Sequence, residues 1–256
     1  MNKIILFFVI FFVLIGFNVP RLSACTVWGA SGQKVSIKGT IIAKNRYNLP
    51  NLFTSPRLLV PQTGFKVFAL YDTEAEGYVV GGINEKGLAA LNSSAYSVSK
   101  DKRHVATEDL TERILTTFAS VDAVFLDLDV FAKSHPALYM IADSSKIATI
   151  EVAPGGKIAA KMINDGTAAF TNHYTNAGLL WANEYVSEGS RARLKHIQRY
   201  LTSSKRPYTM DDFILKSTDR TGGPDYALWR TGSTPEKVRT LASIVISIPA
   251  SGFPKI

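Results

Sequence analysis

Residues 137–171 read ALYMIADSSKIATIEVAPGGKIAAKMINDGTAAFT. The runs Ala137–Ala142, Ile147–Val152, Lys157–Ile163 and Ala168–Thr171 are short and rich in strand formers. Between them lie Asp143-Ser144-Ser145, Pro154-Gly155-Gly156 and Asp165-Gly166, residue types that turn a chain tightly. The stretch is therefore expected to be an antiparallel meander. Working upstream, Phe65–Tyr71, Tyr78–Ile83 and Leu88–Tyr96 have the same character, and Asn84-Glu85-Lys86-Gly87 makes the turn before the last of them. Val35–Ala43 is a further strand, and Asn48–Gly64, with Pro50, Pro56 and Pro61, is a loop.

Helical spacing appears in three places. Leu110, Ile114 and Phe118 recur every four residues, and Val121–Phe131 follows as a second, more buried helix. Leu194, Ile197 and Leu201 form one stripe of a helix over Ser190–Leu201, with Arg191 three residues before Leu194. Thr209-Met210-Asp211-Asp212 opens another helix with acids in its first turn. Gly222–Gly232 is loop-like, and Thr240–Ile248 closes the chain as a β-rich run. Strands mostly neighbouring in sequence, flanked by helix groups, indicate a layered α+β domain.

Composition limits the function classes. The chain has 256 residues, 46% hydrophobic and 20% charged, with one Cys. These proportions exclude a disordered chain, and one thiol excludes an internal disulfide framework or a thiolate zinc site. His104, His135, His173 and His196 lack ligand spacing, so neither a metal nor a cofactor is called for. The formal charge is +8, yet Lys and Arg are interleaved with acids, as at Lys100-Asp101-Lys102-Arg103. That pattern argues against nucleic-acid binding.

Residues 1–24 read as an export signal: Lys3, an apolar run from Ile4 to Phe17, then Leu22-Ser23-Ala24. The apolar run is shorter than the roughly 20 residues of a spanning helix. Cleavage after Ala24 would make Cys25 the first residue of a domain over 25–256 and would place the product in the periplasm or outside the cell. Two chemistries then compete for Cys25. Its α-amine can activate its own thiol as a nucleophile. Alternatively, Leu22-Ser23-Ala24-Cys25 looks like a bacterial lipobox, whose cysteine is lipidated on sulfur and acylated on nitrogen. In that case the protein is membrane-anchored.

The order of features carries more than any one of them: the leader, Cys25-Thr26, Ala43-Lys44-Asn45-Arg46, Ile83-Asn84-Glu85-Lys86-Gly87-Leu88, Leu91-Asn92, Phe170-Thr171-Asn172-His173 and Ser190-Arg191. This series resembles the N-terminal-nucleophile hydrolases of the choloylglycine hydrolase, penicillin V acylase and isopenicillin-N acyltransferase group. The resemblance implies a four-layer α-β-β-α sandwich with two antiparallel sheets. It also implies hydrolysis of a linear amide C–N bond through an acyl-thioester on Cys25. By the same resemblance Lys44 stands for a family arginine beside the thiol. Asn92 and Asn172 match residues that polarise the scissile carbonyl and orient the amine, and Arg191 matches a supporting arginine. An aspartate would be expected where Tyr47 stands, with Asn48 the next polar group.

Phe53, Tyr226 and Trp229, together with Tyr47 and Asn48, are the candidates for substrate contact, and their aromatics favour an apolar acyl group. The partner expected is a small-molecule amide, with a homo-oligomer left open and a membrane involved only if Cys25 is lipidated. The competing reading is a secreted or lipid-anchored binding protein that keeps the fold without the chemistry.

Overall fold

The computed structural model describes residues 25–72, 77–103 and 109–256. The leader expected over 1–24, and His104, lie outside the described residues. Among the described residues, eleven strands form two antiparallel sheets. The first contains β1 (Cys25–Ser31), β2 (Thr40–Asn48), β10 (Gly166–Phe170) and β11 (Arg239–Ile248), in the order β10-β1-β2-β11. The second runs β3 (Thr54–Leu59), β4 (Val67–Asp72), β5 (Tyr78–Asn84), β6 (Ala89–Ser94), β7 (Ala137–Ala142), β8 (Ile147–Ala153) and β9 (Lys157–Ile163), in sequence order.

The helices are α1 (Leu110–Thr117), α2 (Val121–Phe125), α3 (Glu188–Ser203), α4 (Met210–Ser217) and α5 (Gly223–Tyr226). Strand alternation sorts the core into three layers of contact. Val27, Ile42, Leu91, Met140, Ile147 and Ile246 fill the space between the sheets. Ile114, Leu115, Val121 and Val124 pack on the outer face of the larger sheet, against Val79, Ala90 and Ile141. Leu194, Ile197, Leu201 and Phe213 pack on the outer face of the smaller sheet, against Trp28, Ile41 and Val245. The result is the α-β-β-α sandwich.

The sheets are tightly packed at Gly29, where an added Cβ would lie 2.9 Å from Ile42, Met140 and Ile147 side-chain atoms. α1 and α4 start as their sequences require. Asp109 accepts from Glu112 N, and Thr209 and Asp212 close a capping box that satisfies two otherwise orphaned N–H groups.

Four local expectations are revised. β7 to β9 form the predicted meander, but β10 crosses to the other sheet and pairs with β1, Val27 opposite Phe170. The Asp165-Gly166 turn is tied across: Asp165 Oδ1 accepts from Gln33 N at 2.9 Å, and Ser31 Oγ donates to Ile163 O at 3.1 Å. The expected strand at Val35 starts only at Thr40, because Lys38 takes φ 56° and the chain reverses there. The proline-containing loop contains β3 at the sheet edge, where Pro56 lies opposite Leu70 and edge strands tolerate its missing N–H. The helix expected over Val121–Phe131 breaks at Asp127, whose φ/ψ of −134°/55° is not helical.

Candidate functional site

Cys25 begins β1 and lies opposite Arg46 of β2, and from Val27 onward β1 is also paired with β10. It is 4% exposed. Its backbone nitrogen donates to Asn172 Oδ1 at 3.1 Å. The orientation of the Asn172 amide is dictated by its other end, because Nδ2 donates to Ser94 O at 3.0 Å and to Ser93 Oγ at 2.9 Å. A carbonyl must face a donor there, so Oδ1 is the atom turned to Cys25. Ser190 Oγ accepts from Asn172 N at 3.2 Å, and His173 Nδ1 lies 2.8 Å from the same hydroxyl. His173 is thus a buttress. Burial, followed by Arg191 and Arg193, lowers its pKa to about 4, so the ring is neutral near pH 7.

Alternation along β2 puts Lys44 and Arg46 on the face of Cys25, and Asn45 and Tyr47 on the opposite face. Lys44 is fully buried and donates to Val80 O at 2.5 Å and to Asn92 Oδ1 at 2.8 Å. An ammonium has three N–H groups, and these two acceptors take up two of them. Burial pulls Lys44 down to about 8, against the pull of Cys25. Burial pushes the Cys25 thiol up, but Lys44, Arg46 and a backbone hydrogen bond at Tyr47 together outweigh it and the net shift is downward.

The two asparagines occupy the expected neighbourhood with different duties. Both N–H groups of Asn92 Nδ2 are engaged, by Val79 O at 3.1 Å and Thr111 Oγ1 at 2.6 Å. Those of Asn172 are engaged by Ser93 and Ser94. Neither side-chain amide has a proton to spare for a substrate carbonyl. Asn92 aims Lys44, and Asn172 aims the nitrogen of Cys25.

The inward arginine is Arg193, not Arg191. Arg191 is exposed, while Arg193 is 2% exposed and donates from Nε to Thr26 Oγ1 at 3.1 Å and from Nη2 to Asn172 Oδ1 at 3.3 Å. The buried stripe of α3 includes Ser190, Leu194, Ile197 and Leu201. At roughly 100° per residue its mid-line passes roughly 70° from Arg193 and roughly 90° from Arg191. Burial lowers the Arg193 guanidinium to about 10, which leaves it cationic.

Tyr47 and Asn48 do not line a cleft. Tyr47 is fully buried between Arg193 and Arg230, whose guanidinium carbons lie 5.1 and 5.4 Å from its ring centroid. Its hydroxyl donates to Leu228 O at 2.6 Å and lies 3.0 Å from Thr26 Oγ1, whose own hydroxyl can donate back to it. Where an aspartate was expected, the phenol therefore braces the nucleophile's strand from behind. Asn48, 3% exposed, accepts from Leu49 N. Phe53 is 71% exposed just before β3. Tyr226 packs over Gly189 of α3, and the backbone N of Trp229 donates to Asp219 O. No contact of these three with Cys25 is found among the described residues.

Arg46, Asp72, Thr26, Ser93 and Arg193 are residues at the site to which sequence reasoning gave no role. A usable signal existed for Arg46: pairing β1 with β2 as a hairpin puts Arg46 directly across from Cys25.

Two stacked antiparallel sheets between helix layers, with a cysteine opening the first strand, make this an N-terminal-nucleophile hydrolase fold. The chain belongs, within it, to the acyl-coenzyme A:6-aminopenicillanic acid acyl-transferase family, whose model matches residues 36–253. Among solved structures, the Caenorhabditis elegans N-acylethanolamine-hydrolyzing acid amidase ortholog superposes with a TM-score of 0.59 at 14% identity, covering 89% of this chain and 94% of that one. Penicillin V acylase from Agrobacterium tumefaciens matches at TM-score 0.35 and 17% identity over 54% of this chain and 49% of its own. Conjugated bile acid hydrolase from Clostridium perfringens matches at 0.40 and 14% over 83% and 68%. No curated protein matches significantly in sequence.

Proposed function

We propose that the chain, once it begins at Cys25, is an exported cysteine amidohydrolase that cleaves a linear amide C–N bond. The observation that carries this reading is the hold of Asn172 on the Cys25 nitrogen at 3.1 Å, with Lys44 and Arg46 on the face of the sulfur. As a free amine that nitrogen is the base next to the thiol. It takes the thiol proton, and the thiolate attacks the amide carbonyl. The third N–H of Lys44 meets the oxyanion. The amine, now protonated, gives its proton to the leaving nitrogen, the C–N bond breaks, and an acyl-thioester remains on Cys25. Water, deprotonated by the same amine, then releases the acid. If an amine instead of water takes the acyl group, the same site is a transferase, in keeping with the family.

The lipid-anchored alternative would consume both Sγ and the nitrogen of Cys25, and each of these groups is turned into the protein. Intact mass and N-terminal sequencing of the natively exported protein, followed by assay on a panel of linear amides, test the proposal. A free Cys25 with turnover that Cys25→Ala abolishes is expected. A diacylglyceryl-modified Cys25, or turnover by protein in which residue 24 is still attached, would overturn it.

A further inference from the structure

We infer that Arg46 is a second cationic partner of the Cys25 thiolate, aimed at the sulfur by Asp72 and Tyr78; this rests on the nucleophile reading above. Arg46 faces Cys25 across the β1–β2 pair, and its Nη1 lies 4.0 Å from Sγ while also donating to Tyr47 O at 2.9 Å. The rest of the fork is fixed. Nε donates to Asp72 Oδ2 at 2.9 Å, and Nη2 donates to the same oxygen at 2.5 Å and to Tyr78 OH at 2.9 Å. Arg46 and Asp72 are 3% and 0% exposed.

Such a pair gains little as a stability device, because desolvating two charges costs about as much as their attraction returns. Its geometry suits another purpose. A planar fork anchored at one edge presents the other edge at a set position.

The charge count agrees. Lys44 and Arg46 line the sulfur's face, and Asp72 balances one of them. The thiolate is the second anion. The other groups facing this centre do not change the count. Asp109, at the start of α1, acts on Lys44. Arg193 comes from α3 through Asn172. Burial raises the phenols Tyr47 and Tyr78, so both stay neutral, with Tyr96 next to Tyr78. The two cations differ in what they survive. Lys44 titrates at about 8. Arg46 is desolvated too, but Tyr78, Cys25 and Asp72 hold its guanidinium above its ordinary value. At alkaline pH the thiolate keeps Arg46 as its partner when Lys44 has become neutral.

The chain has one cysteine, so the pH dependence of its alkylation reads the thiolate directly. Iodoacetamide rates would be measured from about pH 5 to about pH 10 on the mature chain and on Arg46→Met, Arg46→Lys and Tyr78→Phe. Burial of the sulfur slows every rate alike and leaves the midpoint untouched. The midpoint should rise by about 1–3 pH units in Arg46→Met, less in Arg46→Lys, whose point charge cannot span Asp72 and the sulfur together, and least in Tyr78→Phe. An Arg46→Met protein with native melting and an unmoved midpoint would overturn the inference. If Arg46→Met does not fold, an unmoved midpoint in folded Arg46→Lys does the same. Shifted alkylation without turnover on any amide counts against the proposed function and not against this role of Arg46.

Discussion

Replacing Asn172 by Asp keeps the shape of the side chain and puts a carboxylate oxygen where the neutral Oδ1 accepts from the Cys25 nitrogen at 3.1 Å. A carboxylate favours the protonated amine, so the base is held in its inactive form up to a higher pH. At an effective dielectric of about 20, charges about 3.1 Å apart interact by roughly 5 kcal/mol, equivalent to roughly four pH units. Arg193 Nη2, 3.3 Å from the same oxygen, takes up part of that field and leaves about 1–3 units. The acidic limb of kcat/KM should therefore move up in pH by that amount, each unit costing about tenfold in rate below the limb, while the alkaline rate is largely kept.

Stability falls separately. The two Nδ2 bonds to Ser93 and Ser94 are lost, at about 0.5–1.5 kcal/mol each, which is a drop in Tm of roughly 2–12 °C. The assay is a pH–rate profile on one amide substrate beside thermal melting of the same preparation. An unmoved acidic limb in a folded Asn172→Asp protein would refute the assignment of the amine as base.

Two further outcomes test the packing around the site. Tyr47→Phe should cost about 1 kcal/mol in urea unfolding and leave kcat near its natural value, because Asn45 Nδ2 still donates to Leu228 O and Arg193 Nε still donates to Thr26 Oγ1. A hundredfold fall in kcat would return Tyr47 to the chemistry. Gly29→Ala should destabilise by about 1 kcal/mol and Gly29→Val by nearer 3, since the new atoms meet Ile42, Met140 and Ile147 between the sheets. Unchanged melting of both would show that the inter-sheet distance is not limited at Gly29.

The two sheets were readable because alternation and turn residues are local signals. Their assignment was less so: the strand after Asp165-Gly166 reads as the end of a meander, and nothing within it announces that Ser31 and Gln33, more than a hundred residues earlier, hold its turn. Cys25, Lys44, Asn92 and Asn172, which the sequence groups by residue type and order, lie together in the structure. What their side chains do was not legible. A free amide and a fully engaged one have the same letter, and only the partners Val79, Thr111, Ser93 and Ser94 show that both amides position other groups. Arg191 and Arg193 stand two residues apart, and three stripe leucines and isoleucines set the helix phase too coarsely to choose between them. Asp72 lies on a strand with no motif, and its role follows from the contact with Arg46.

The polar contacts at the nucleophile also run from sheet to sheet. Lys44 belongs to the smaller sheet and ends on Val80 and Asn92 of the larger one, while Asn172 follows β10 and is fastened to Ser93 and Ser94. The cysteine's surroundings are thus a caliper closed on the gap between two layers. A slide of one layer past the other by about an ångström would open several of those contacts at once. Chemistry in this molecule should therefore be the first property lost under gentle denaturing stress, while every strand is still in place.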